Sequence, residues 1–106
     1  KTEAVRIVGD PARMITAVAV GAGAGADLIR PAAARGADVL VTGDVKYHDA
    51  QDALDLGLAV IDVGHYHSEA GAMGSLAAYL RERLAADGHA VEVMEAEAGR
   101  DPFQFV

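Results

Sequence analysis

Three times along the chain a helix-compatible stretch closes on a glycine and runs into a short apolar segment: Gly36 before Asp38-Val39-Leu40-Val41-Thr42, Gly57 before Leu58-Ala59-Val60-Ile61-Asp62, and Gly88 before Ala90-Val91-Glu92-Val93-Met94. Glycine suits the left-handed residue just past a helix, and β-branched runs bounded by such stops predict strands. The alternation predicts an α/β domain in which a largely parallel or mixed sheet is covered by helices. The first two of these strands are nearly all apolar, as strands buried on both faces are, so the sheet centre is expected near residues 38–63. Val91 and Val93 alternate with Glu92 and predict an edge strand. Upstream, Val5–Val8 and Ala17–Val20 predict two more strands, and the turn signal Gly9-Asp10-Pro11 between them predicts a hairpin. Met73, Leu76, Ala77, Leu80 and Leu84 form a stripe at helical spacing opposite Arg81-Glu82-Arg83, which predicts a helix packed on the core.

Size and charge narrow the reading. A chain of 106 residues fits one domain, with room for a core that needs no staples. The absence of cysteine removes disulfides, thiolate zinc sites and thiol nucleophiles, and fits a reducing compartment, so a cytoplasmic protein is expected. Sixteen acidic against nine basic residues give a net charge of -7, the wrong sign for nucleic acid or an anionic membrane surface. The longest weakly polar run, Met14 to Ala26, holds Thr16 and three glycines and falls short of the ~18 apolar residues that span a bilayer. The opening Lys1-Thr2-Glu3 does not suit a signal peptide, and the natural N-terminus is expected elsewhere.

Two groups of residues are candidates for chemistry. Gly21-Ala22-Gly23-Ala24-Gly25-Ala26 follows a predicted strand and opens a predicted helix, a partial match to a dinucleotide-binding turn, with Asp44 near the offset of a ribose-binding acid. A tight turn with close helix-to-strand packing explains the same run. The second group is histidine and carboxylate at spacings of four, the spacing that puts two ligands on one helix face: Asp44 with His48, His48 with Asp52, and His65 with Glu69. Asp44 and His48 follow one of the two apolar strands and His65 follows the other, at the carboxyl ends where open α/β sheets form their ligand crevice. Ordinary surface pairs and helix caps give the same spacing, with His48 joined to Asp52 and Asp44 as an N-cap. His67 would join His65 only in an extended segment; helical turning points it away. No Gly-x-Ser-x-Gly elbow is present, and Lys46 is the only lysine besides Lys1, which leaves metal-assisted chemistry as the enzymatic class with textual support.

The run Val39 to Ala50, containing Thr42-Gly43-Asp44-Val45-Lys46-Tyr47-His48, then Leu58 to Tyr66, containing Gly64-His65-Tyr66, then Glu69, and finally Asp101-Pro102-Phe103, resemble the C-terminal part of the NGG-interacting-factor-three-like family. These are dinuclear-metal proteins often labelled GTP cyclohydrolase type 2 homologues. The resemblance implies that His65 and Glu69 are metal ligands, and that His48 and Asp44 stand beside the ligands or contact substrate. It implies two divalent ions per complete site, with Zn, Mn, Fe and Ni not distinguished by histidine and carboxylate. It further implies a homohexameric assembly, a metal-dependent hydrolase in the complete protein, and a nucleotide as the substrate suggested by the family label. Residues 1–106 would then be a single C-terminal, metal-ligand-bearing domain, one half of a two-lobed family fold. Relatives complete the centre with a His-His pair and an aspartate from the N-terminal half, and nothing in this chain matches those residues. Relatives also often carry a cysteine and a serine around Gly21 to Gly25, where this chain has only glycine and alanine. The alternative to an enzyme is a non-catalytic oligomeric scaffold or a metal-storage or regulatory module.

Overall fold

A computed structural model describes residues 4–96 and 99–104. Four strands form one mixed sheet: β1 (Arg6–Val8), β2 (Val18–Ala24), β3 (Val39–Gly43) and β4 (Ala59–Asp62), in the order β1-β4-β3-β2. A turn of 3-10 helix (Ala26–Leu28) leads into α1 (Ile29–Ala34); α2 (Tyr47–Asp55) and α3 (His65–Ala86) complete the fold. The α/β class and the central position of the two apolar strands are as expected. β3 pairs in parallel with β2 and with β4, and its register with β4 runs from Val39 opposite Ala59 to Thr42 opposite Asp62. Both connections, β2 to β3 and β3 to β4, are therefore helical crossovers, and crossovers of one hand stepping in one direction put α1 and α2 on the same face.

The core lies between these helices and the central strands. Ile29 and Ala32 of α1, Leu40 of β3, Ala53 of α2 and Val60 of β4, with Val45 and Leu58 from the loops, are all buried. Gly36 and Gly57 end α1 and α2 with positive φ, as helix-stop glycines do, and release the chain into β3 and β4. At the start of β3, the Asp38 carboxylate accepts hydrogen bonds from the Thr16 and Ala17 amides and the Thr16 hydroxyl, tying the entry of β2 to β3. Those amide bonds, led by Thr16, hold its pKa far below the usual carboxylate range.

Three expectations fail. β1 and β2 are not a hairpin: they form opposite edges of the sheet, because β1 pairs antiparallel with β4, Arg6 opposite Asp62. Gly88 ends α3, but residues 89–96 form no strand. This segment is tied alongside α3 instead, where Arg81 donates to the Val93 carbonyl (3.1 Å) and pairs with Glu95 (3.2 Å). The α3 stripe, finally, is mostly not core. Only Ala77 is buried, while Met73, Leu76 and Leu80 are 53%, 48% and 38% exposed. The cause is length: α3 has 22 residues and reaches ~33 Å, whereas the five residues of β3 reach ~17 Å, so the helix overhangs the sheet it packs on. No helix among the described residues is long and apolar enough to cross a membrane.

Candidate metal centre

Parallel strands β3 and β4 end side by side, and the turns after them meet. Gly43 makes this possible. A Cβ there would lie 2.7–2.8 Å from the backbone of Gly64 and His65, so only glycine lets the end of β3 touch the start of α3. The Val63 amide donates to the Thr42 carbonyl (2.9 Å) across the same junction.

One carboxylate fixes the arrangement. Asp62, at the last position of β4, is 4% exposed; its Oδ1 accepts the Gly64 amide and its Oδ2 the Val45 amide, each at 2.9 Å. Its Oδ2 also pairs with Arg6, whose Nη2 reaches on to the Val45 carbonyl (2.9 Å). Asp62 thus fastens together the turn into α3, the loop into α2, and β1. Burial alone would raise its pKa, but the Gly64 and Val45 amides and the Arg6 guanidinium outweigh burial and hold it below the usual value. Neither Asp62 nor Arg6 stands in a spacing pattern that marks a site. The available signal was a carboxylate closing an apolar, doubly buried strand, which demands partners.

The first turn of α3 carries the candidate ligands. His65 Nε2 stands 3.3 Å from Glu69 Oε1, and His65 Nδ1 is 2.7 Å from Asp44 Oδ2. The Asp44 bond, seconded by the charge of Glu69, pushes the imidazole pKa above its ordinary value. Asp44 comes from the loop after β3 and is the one described non-glycine residue with positive φ (55°), a conformation that costs energy and concentrates at functional sites. The three side chains are about half exposed and line a cleft of about 600 Å3 with Arg6 on one side and the segment Asp101–Gln104 on another. That segment is held by Tyr66, whose hydroxyl donates to the Gly99 carbonyl (2.6 Å), and by His67, 3.5 Å from Asp101.

His65 and Glu69 could hold a metal in one specific way. A ligating imidazole offers one nitrogen to the ion and donates the other N–H to a carboxylate or carbonyl. With Asp44 on Nδ1, the nitrogen that an ion would take is Nε2, which faces Glu69 Oε1 at 3.3 Å. Among the described residues no group of three or more His, Asp or Glu side chains is placed to hold an ion, because Asp44 serves the opposite edge of the ring. His48 is elsewhere. It sits on α2, its Nδ1 3.3 Å from Gln51 Oε1 and its ring edge-on to Tyr47, and it does not line the cleft. Asp52 pairs with Arg30 (2.9 Å) rather than with His48, and the N-cap position of α2 is Lys46, not Asp44.

The glycine run lies in strand β2 over residues 21–24, and its Gly25 is the N-cap of the 3-10 turn that leads into α1. Space beside it is filled by protein: Cβ atoms at Gly21 and Gly25 would lie 2.2 Å from Leu28 and Thr42, and one at Gly23 would lie 2.6 Å from Glu69 Oε1. The close-packing reading is the correct one, and the phosphate-binding turn is not formed.

This geometry has relatives. Residues 1–102 match the family model described as Duf34/NIF3 (NGG1p interacting factor 3). The chain belongs to the DUF34/NIF3 family. Among curated relatives, a protein of Clostridium perfringens named GTP cyclohydrolase 1 type 2 homolog is 34% identical over 102 residues, covering 96% of this chain and 38% of that protein. One of the same name from Listeria innocua is 41% identical over 101 residues, covering 95% and 27%. A crystal structure of a Bacillus cereus protein related to NIF3 superposes with a TM-score of 0.92 at 37% identity, over 99% of this chain and 29% of that one. A Staphylococcus aureus structure gives 0.89 at 35% identity, over 99% and 34%. The chain spans about a third of the length of these DUF34/NIF3 relatives.

Proposed function

We propose that this domain supplies part of a divalent-metal centre in a metal-dependent hydrolase, with His65 Nε2 and the Glu69 carboxylate as ligands. The observation that carries the reading is the carboxylate–histidine arrangement: Asp44 on Nδ1 and Glu69 beside Nε2, in a cleft at the carboxyl ends of the two central strands. Asp44 fixes the tautomer and ring orientation of His65 and raises its basicity; Glu69 adds negative charge and an oxygen donor. A divalent ion held there would lower the pKa of a bound water and so supply a nucleophile at neutral pH. Two protein ligands are one fewer than a catalytic ion usually takes, so the remaining ligands come from outside the described residues or from another copy. Relatives named GTP cyclohydrolase 1 type 2 homolog support a nucleotide as the substrate class. Metal analysis of the full-length protein tests the reading: His65→Ala and Glu69→Ala should each remove bound metal, and unchanged metal content would reject it.

A second reading, an oligomeric scaffold whose ions are structural, is favoured by the exposed apolar face of α3, where Met73, Leu76 and Tyr79 are about half exposed. Metal removal separates the two. Loss of turnover with the assembly intact supports the enzyme, and loss of the assembly with no turnover at any stage supports the scaffold.

A further inference from the structure

The glycine run in β2 forms no phosphate loop, yet it touches the candidate ligands. The pairing of β2 with β3 is interrupted between Val20 and Ala24, a bulge of the kind that accumulates beside active sites. Gly23 lies within the interruption, buried, with φ +68°. Two hydroxyls hydrogen-bond its peptide groups. The Gly23 amide donates to Ser68 Oγ (2.8 Å), and the Gly23 carbonyl accepts from Thr42 Oγ1 (3.3 Å), a fully buried threonine. Ser68 Oγ in turn donates to the His65 carbonyl (2.7 Å). One hydroxyl therefore joins β2 to the turn of α3 that carries both His65 and Glu69.

The missing side chain matters as much as the bonds. A Cβ on Gly23 would lie 2.6 Å from Glu69 Oε1 and 3.4 Å from His65 Nε2, the two atoms that face each other in the cleft. The bare Cα of Gly23 is the floor on which the donor pair rests. Ligands four apart on a helix share a face, but the roll of the helix decides where that face points. That face of α3 packs against β2 at the interruption.

We propose that Gly23 and Ser68 are positioning residues for the His65–Glu69 pair: the bulge supplies the floor and the serine hydroxyl locks the first turn of α3 against it. The assignment rests on the metal-ligand reading of His65 and Glu69. It is tested on the full-length protein by zinc affinity, measured in competition with a chromophoric chelator, for the wild type, Ser68→Ala, Ser68→Thr and His65→Ala. Loss of a supporting contact of this kind costs roughly tenfold or more, so Ser68→Ala should bind zinc at least about tenfold more weakly. Ser68→Thr, which keeps the hydroxyl, should restore most of that affinity. Val39→Ala, a buried change at the opposite end of β3, serves as the stability control and should bind zinc as the wild type does. The positioning role is overturned alone if His65→Ala loses zinc while Ser68→Ala does not, if Ser68→Thr is no better than Ser68→Ala, or if Val39→Ala weakens zinc as much as Ser68→Ala. A wild type that takes up no zinc overturns the metal reading, and this assignment with it.

Discussion

Asp62 organises the site through hydrogen bonds to three segments. Replacing it with alanine strands the Val45 and Gly64 amides and removes one partner of Arg6, so Asp62→Ala should cost about 3 kcal/mol, measurable by urea denaturation at neutral pH. The pH dependence has a definite sign. The folded pKa of Asp62 is lowered from 3.8, so its contribution is whole above that value and is lost as pH falls through the depressed folded value. Acid denaturation should therefore set in below about pH 4 and be shallower in Asp62→Asn. Asp44 acts on one neighbour: Asp44→Ala should weaken metal binding roughly tenfold to a hundredfold while leaving the fold intact, read by metal competition alongside a melting curve. At this scale the sequence was partly legible. Spacing brought His65 and Glu69 together because four residues make one helical turn, a purely local relation. The Asp44–His65 contact spans 21 positions and depends on two strands ending together, which no local pattern encodes. His48 has the spacing of a ligand and the position of a surface residue.

The central elements followed from hydrophobic runs and helix-stop glycines, since a strand buried on both faces must be apolar along its length. Partners of the edge strands did not, because an edge strand is chosen by what the rest of the sheet leaves open. Arg6 reaches the site only because β1 runs antiparallel to β4, which puts the first residue of β1 beside the last residue of β4. The junction of β3 with α3 is the element contact most open to test. Gly43→Ala drives a methyl into the Gly64 and His65 backbone, which cannot rotate away as a side chain would, and should cost about 1–3 kcal/mol of stability in a denaturant titration. It should weaken metal binding too, because the shift moves His65 itself.

For the whole molecule, the overhang of α3 decides what the domain can do alone. Its apolar stripe stays largely open to solvent at Met73, Leu76 and Leu80. Leu76→Ser should change the stability of this domain by less than about 0.5 kcal/mol, as exposed substitutions do, whereas Leu40→Ala in the core should cost about 2–5 kcal/mol. The central claim, that His65 and Glu69 hold a divalent ion, is tested most directly by elemental analysis of full-length wild type, His65→Ala and Glu69→Ala purified side by side. Stoichiometric metal in the wild type and its loss from both variants is the predicted result; metal retained in full by either variant would contradict it.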